Sequence, residues 1–301
     1  MAVTPNFFIV GAPKCGTTAL YEYLRLHPGI FMPELKEPHF FASDLVTFHL
    51  VNSMAEYRGL FAGATAAQPR VGEASASYLL SSAAIPDIRR FNPDAKLIAM
   101  YRNPVDLVHS FHSQLLYWSE ETERDFERAW RLQERRRRGE ELPGTCREPF
   151  WLQYERIGQF GTQTERMLAT FPREQVKLIL FEDFAASPKA VYEEVIEFLD
   201  LPQDHRTEFP RFNENKRAKL TWLRNFVRKP PPLLRRAFRG LKRRVGGGGV
   251  GAVRQKLLDI NTSKERRPPL TPEFRAELVQ TFREEVALFS RVMDRDLRHW
   301  T

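Results

Sequence analysis

Three times along the chain a short apolar run breaks into a turn and then into a helical stretch, and this recurring order constrains the fold more than any other feature. FFIV, residues 7–10, runs into GAPKCGTT and then into ALYEYLRLH, which stops at Pro28 and Gly29. KLIAMY (Lys96–Tyr101) reaches Arg102-Asn103-Pro104 and then VDLVHSFHSQLLYW. Asn103 is placed to cap that helix, and Pro104 fits its first turn, where a missing N–H costs nothing. VKLILF, residues 176–181, is followed by a turn through Ser187-Pro188 and the helical VYEEVIEFLDL, while RVGEASASY, residues 70–78, is a candidate fourth strand. Strands that are apolar throughout must be covered on both faces, which crossover helices between parallel strands accomplish. The expected architecture is therefore α/β: a P-loop-like three-layer fold with a central, mostly parallel β-sheet flanked by helices, and ligands at the carboxyl ends of the strands. Long helices are expected over residues 126–138, 157–171 and 272–293. With 301 residues and no internal repeat, one domain over 1–301 is expected.

The first turn is the most informative. Gly11-Ala12-Pro13-Lys14-Cys15-Gly16-Thr17-Thr18 joins a strand to a helix, so its backbone N–H groups and the helix N-terminus can converge on an anion. The spelling is close to a Walker A loop, in which Lys follows the second Gly and reaches the β and γ phosphates. Here Thr17 stands in that place and the lysine has moved inside the loop, which suits a single phosphate and a group leaving from it better than a Mg-bound triphosphate.

Charge is distributed unevenly. The chain carries a net +8, but residues 215–258 contain fourteen Lys and Arg and no Asp or Glu, leaving −6 for the remainder. Within that segment Leu233, Leu234, Phe238 and Leu241 interleave with arginines at near-helical spacing, as in an amphipathic surface helix. The segment can serve an anionic acceptor, an anionic membrane surface or another polyanion, or close over a site as a lid; no DNA or RNA module accompanies it, which disfavours a nucleic-acid partner. Prolines 230–232 and glycines 246–249 mark residues 229–251 as the weakest part of the chain, a mobile loop or loosely attached helix. The run Arg135 to Arg138 is expected to be the exposed end of a helix balanced by Glu134, Glu140 and Glu141. MAVTPNFFIVGAP has no basic n-region before an apolar run, no stretch reaches the roughly 18 apolar residues of a membrane span, and Cys15 and Cys146 form no metal or disulfide framework. The expectation is a cytoplasmic protein without a metal site, with peripheral membrane placement as the alternative the basic segment allows.

P-K-C-G-T-T after the first strand resembles the 5′-phosphosulfate loop of the sulfotransferases that use 3′-phosphoadenosine 5′-phosphosulfate (PAPS). Y-R-N-P-V-D-L-V-H-S-F, about 85 residues further on, resembles the 3′-phosphate segment of the same family. The likeness is nearer to the bacterial and heparan-type carbohydrate enzymes and extends over nearly the whole chain. It implies that PAPS is the sulfuryl donor, held by Lys14, Cys15, Gly16, Thr17 and Thr18 at one end and by Arg102 and Ser110 at the other. Arg102 has the planar fork that matches phosphate oxygens bidentately. Asp106 reads as support for the helix start.

Glu34-Leu35-Lys36-Glu37-Pro38-His39-Phe40-Phe41 resembles the E-x-H-F-F stretch of the heparan-type enzymes, which implies Glu37 as the catalytic base and Lys14 as stabiliser of the departing phosphate. His39 would orient the acceptor or share the base role. Glu73-Ala74-Ser75-Ala76-Ser77-Tyr78 resembles their E-K-S/T-P-x-Y-F stretch, but Ala74 stands where many of them have Lys; either Lys14 and Lys36 suffice, or the charge is arranged differently. Ser75 and Ser77 face the transferred group or are ordinary strand positions. Asn261-Thr262-Ser263-Lys264-Glu265-Arg266-Arg267-Pro268-Pro269 resembles the loop that closes over the 3′-phosphate, which adds Ser263, Lys264, Arg266 and Arg267 to the nucleotide site, with Glu265 replacing the usual Gly. The resemblance implies in-line sulfuryl transfer to a hydroxyl, or to an amine, of a carbohydrate or, failing that, a glycolipid or small metabolite. Two rival readings stand beside it: a P-loop nucleotide or small-molecule kinase, and a non-enzymatic binder of polyanions or membrane surfaces.

Overall fold

The computed structural model describes residues 3–45, 50–210 and 267–301, together with the backbone of 217–218 and 262–263. Five strands form one sheet: β1 (Phe7–Gly11), β2 (Ile30–Phe31), β3 (Arg70–Ala74), β4 (Lys96–Tyr101) and β5 (Val176–Leu180). Their order is β2-β3-β1-β4-β5 and every pairing is parallel. All five residues of β1 are buried, as a strand covered on both faces must be, and the mostly parallel expectation becomes an all-parallel sheet flanked by helices. After β1 the chain builds outward on the β3 side and then crosses to β4, so β1 and β4 flank the switch point at which open α/β sheets bind ligands.

The helices that matter here are α1 (Thr17–Arg25), α2 (Met54–Gly59), α3 (Ala84–Phe91) and α4 (Pro104–Trp118), then α5 (Phe126–Arg131), α6 (Gln133–Arg137), α7 (Tyr154–Ile157) and α8 (Phe160–Leu168). They are followed by α9 (Phe181–Ala186), α10 (Pro188–Phe198) and α11 (Pro272–Met293). On α11, Phe274, Leu278, Phe282, Val286 and Phe289 recur every three or four residues and form its buried stripe. Asn103 caps α4 as its sequence position implied, its side chain accepting from the Val105 amide at 2.9 Å. Asp106 lies in the first turn of α4, and its carboxylate also reaches Arg275 of α11 at 3.0 Å.

Two expected helices are each divided. Residues 126–138 split at Leu132 into α5 and α6, because the Gln133 amide folds back onto the Trp130 carbonyl at 3.0 Å and competes for a backbone acceptor there. Of residues 157–171, Ile157 closes α7 and 160–168 form α8, the two parted at Gly158, where a Cβ would lie 2.4 Å from the Phe282 ring, so only glycine admits α11 this close. The arginine run also needs correcting. Arg135, Arg137 and Arg138 are exposed beside Glu134, Glu140 and Glu141, but Arg136 is buried and bonds Glu121 through Nη1 and Nη2 at 2.6 and 2.9 Å. Tyr154 donates to the same carboxylate at 2.7 Å. Phe181 opens α9 directly rather than ending β5. The segment 229–251, and all of 215–258 except the backbone of 217–218, lies outside the described residues.

Candidate active site

Gly16 ends the turn in the left-handed region, φ 91°, which a Cβ would oppose, and its Cα faces the Phe181 ring. Thr17 and Thr18 then open α1, with the helix N-terminus turned toward the loop. Lys14, also left-handed at φ 63°, sends its ammonium to Gln114 Oε1 on α4 at 3.0 Å. Cys15 contributes backbone only: its side chain is wholly buried, the thiol donates to the Pro13 carbonyl, and burial pushes it up to about 12.

Arg102 projects from the end of β4, stacks over Phe181 at 5.0 Å and approaches the Lys14 carbonyl at 3.4 Å. Its guanidinium is thus integrated into the loop and is not a surface ion pair. Ser110 is buried on α4. Arg267 approaches from the far end of the chain, and its Nη1 is buried without a hydrogen-bond partner among the described residues. Burial, and then the charges of Arg267 and Arg102, lower Lys14 to about 8. Burial and the Arg102 charge likewise lower Arg267. Three cations with one unsatisfied donor, at the mouth of a strand–turn–helix, fit a phosphorylated anion. Ser263 contributes a described backbone, paired antiparallel with Arg217; Lys264 and Arg266 lie outside the described residues.

The second half of the site is a zipper between residues 37–41 and the turn after β3. The Glu37 amide donates to the Ala74 carbonyl at 2.9 Å, and the Ala76 amide donates to Glu37 Oε2 at 2.8 Å. The Lys36 ammonium holds Glu37 Oε1. Burial alone would push Glu37 up, but Lys36, His39 and the Ala76 amide hold its carboxyl below the ordinary carboxylate range. His39 Nε2 lies 3.7 Å from Glu37 Oε2, and its Nδ1 is 2.6 Å from Ser77 Oγ. Ser75 Oγ accepts from the His39 amide at 3.0 Å, so Ser75 and Ser77 are both buried supports of His39. Glu37 and His39 have φ of 62° and 55°, values that ordinary residues keep only where their surroundings impose them. The same turn is tied to β1 through Ser75 N to Ile9 O at 3.1 Å and Leu79 N to Val10 O at 2.8 Å, which sets the zipper against the start of the phosphate loop.

Lys14, Cys15, Gly16, Thr17, Thr18 and Arg102 thus meet Arg267 on one side, and Glu37, His39 and Lys36 on the other. Two residues escaped the sequence. Gln114 stands one helical turn after Ser110 on α4, a spacing that could have revealed it. Glu73, beneath the zipper, stands first in the Glu73–Tyr78 stretch that the sequence singles out, but nothing local shows that its carboxyl is buried between two tyrosines.

Fold and site define an α/β protein that gathers cations at a strand–turn–helix junction, with a carboxylate and an imidazole beside them. Residues 4–230 match the family model described as the sulfotransferase domain, and the chain belongs to that family. A sulfotransferase from Alicyclobacillus acidocaldarius superposes with a TM-score of 0.73 at 29% identity, covering 99% of each chain. Mouse carbohydrate sulfotransferase 15 is 29% identical over 65% of this chain and 44% of its own length. Mouse heparan sulfate glucosamine 3-O-sulfotransferase 6 is 38% identical over 37% of this chain and 31% of its own. The chain therefore spans less than half the length of these curated relatives. Among the described residues, no helix is long and apolar enough to cross a membrane.

Proposed function

We propose that the chain transfers a sulfuryl group from PAPS to a hydroxyl of a carbohydrate acceptor. The observation that carries this reading is the meeting of Lys14, Arg102 and Arg267 at a loop against which Glu37 and His39 are docked. In the reaction the acceptor oxygen forms a bond to sulfur as the bond from sulfur to the 5′-phosphate oxygen breaks. Glu37 takes the acceptor proton and the electron pair leaves on the phosphate, where Lys14 and the N-terminus of α1 meet the added charge. Arg102, Ser110 and Arg267 hold the 3′-phosphate, and Lys36 keeps Glu37 ionised before the proton arrives. His39, fixed by Ser75 and Ser77, orients the acceptor. The carbohydrate class is supported by the names of the relatives, which act on carbohydrate chains.

Calorimetric titration with adenosine 3′,5′-bisphosphate, with ATP and AMP as controls, tests the donor half of the reading. Selective binding that Arg102→Ala weakens is the expected result, and a preference for Mg-ATP would return the kinase reading. Incubating PAPS with unsulfated heparosan and chondroitin oligosaccharides tests the acceptor half. There, Glu37→Gln should lower turnover at least a hundredfold with nucleotide affinity within twofold; equal losses in both would remove Glu37 from the base role. Anion binding that survives Lys14→Ala and Arg102→Ala together and weakens with salt would favour the polyanion binder.

A further inference from the structure

Glu73, at the end of β3, is wholly buried, an uncommon place for a carboxyl group, and the chemistry above makes no use of it. Its Oε2 accepts from the Tyr57 hydroxyl at 2.9 Å and the Tyr78 hydroxyl at 2.7 Å, while its buried Oε1 has no partner at full hydrogen-bonding geometry among the described residues. Both tyrosines lead to the zipper. The Tyr78 hydroxyl that donates to Glu73 also accepts from the Phe41 amide at 3.3 Å. The Tyr57 ring stacks on Phe40 at 4.4 Å and meets the edge of Phe41 at 5.2 Å. The groups facing Glu73 are Tyr57 from α2, Tyr78 and Ser75 from the turn after β3, and Glu37 from the opposing loop. Its parallel partner on β1, Phe8, is apolar.

We propose that Glu73 is a positioning residue for the transfer reaction: by anchoring Tyr57 and Tyr78 it holds the 37–41 turn in the left-handed conformation that presents Glu37 and His39 to the phosphate loop. The proposal rests on the reading of Glu37 as base. Burial raises the Glu73 carboxyl to about 7, against the pull of the Ser75, Tyr78 and Tyr57 hydroxyls, so this support changes charge in the neutral range. Once ionised, it places a second negative charge under Glu37, which strengthens the hold of Glu37 on the acceptor proton.

The test compares the full-length wild type with Glu73→Gln, Glu73→Ala, Tyr78→Phe and Glu37→Gln. Two quantities are followed: amide hydrogen exchange across residues 37–42, and cleavage of saturating PAPS with water as acceptor. Tyr78→Phe and Glu73→Ala should speed exchange at residues 37–42 at least tenfold while β1 and β4 stay protected. They should also lower kcat at least tenfold with affinity for adenosine 3′,5′-bisphosphate within twofold. Glu73→Gln keeps an acceptor for both tyrosines, so it should restore protection and abolish the change in kcat between pH 6 and 8. Unchanged exchange in Tyr78→Phe, or a pH step that persists in Glu73→Gln, overturns the proposal. If Glu37→Gln cleaves PAPS at the wild-type rate, the base reading fails instead, and the exchange data still decide whether Glu73 holds the turn.

Discussion

With Lys14 on the nucleotide as proposed, binding should have a pH dependence whose size follows from the surroundings of Lys14. Burial, followed by the Arg267 and Arg102 charges, lowers it to about 8, so in the free protein it is half-neutral at that pH. A bound dianion reverses the balance and keeps the ammonium charged, so binding above pH 8 must first recover a proton. The apparent association constant should then scale as 1/(1 + 10^(pH − pKa)), close to its maximum at pH 7 and about tenfold lower at pH 9, a loss of about 1.4 kcal/mol. The assay is calorimetry with adenosine 3′,5′-bisphosphate from pH 7 to 9.5 at constant ionic strength. The ligand's phosphates, with second pKa values of about 6, are already ionised across most of that range. Lys14→Arg supplies the control, because a guanidinium stays charged throughout and its titration should be flat. A wild-type affinity that varies less than twofold between pH 7 and 9, or a decline that persists in Lys14→Arg, would show that Lys14 does not touch the anion.

Three further outcomes test the scaffold. Glu73 is raised to about 7 from an ordinary value near 4.5, so the folded state holds a proton that the unfolded state has released; stability should fall as pH rises from about 4.5 to about 7, by up to about 1.4 kcal/mol per unit, and denaturant titrations of Glu73→Gln should lack that contribution. Arg136→Ala leaves the Glu121 carboxylate buried with only Tyr154 and local backbone donors, and should cost about 3–5 kcal/mol in urea unfolding without changing nucleotide affinity. Gly158→Ala puts a methyl group 2.4 Å from the Phe282 ring and should cost about 1–3 kcal/mol, read as a shift in the urea midpoint at constant m-value.

The halves of the site differ in how far the sequence disclosed them. The strand–turn–helix at residues 7–25 was readable because its parts are contiguous: a buried strand, a glycine-punctuated turn and a helix start state their geometry within a dozen residues. Arg102 and Asn103 were readable for the same reason, since a strand end and a capped helix start position them locally. Arg136 was misread because nothing near it reveals Glu121, whose carboxylate reaches it from fifteen residues away. The need for glycine at position 158 comes from Phe282, more than a hundred residues distant, which no local propensity contains. Ser75 and Ser77 were left open between substrate contact and scaffold, and their hydroxyl oxygens proved to support His39, thirty-six and thirty-eight residues away.

The sequence by itself determined the periodicities, and with them a parallel α/β sheet, its glycine-punctuated strand–turn–helix and the set of residues able to do chemistry, because each is written within a single turn or strand. Tertiary structure decided which of those residues lie together. Hydrogen bonds and burial between distant segments turned Glu37 into a carboxylate held ionised by Lys36 and Ala76, lowered Lys14 by bringing Arg102 and Arg267 beside it, and placed Glu73 out of water beneath both tyrosines. Charge and acidity depend on distance and solvent, and the packed fold sets both.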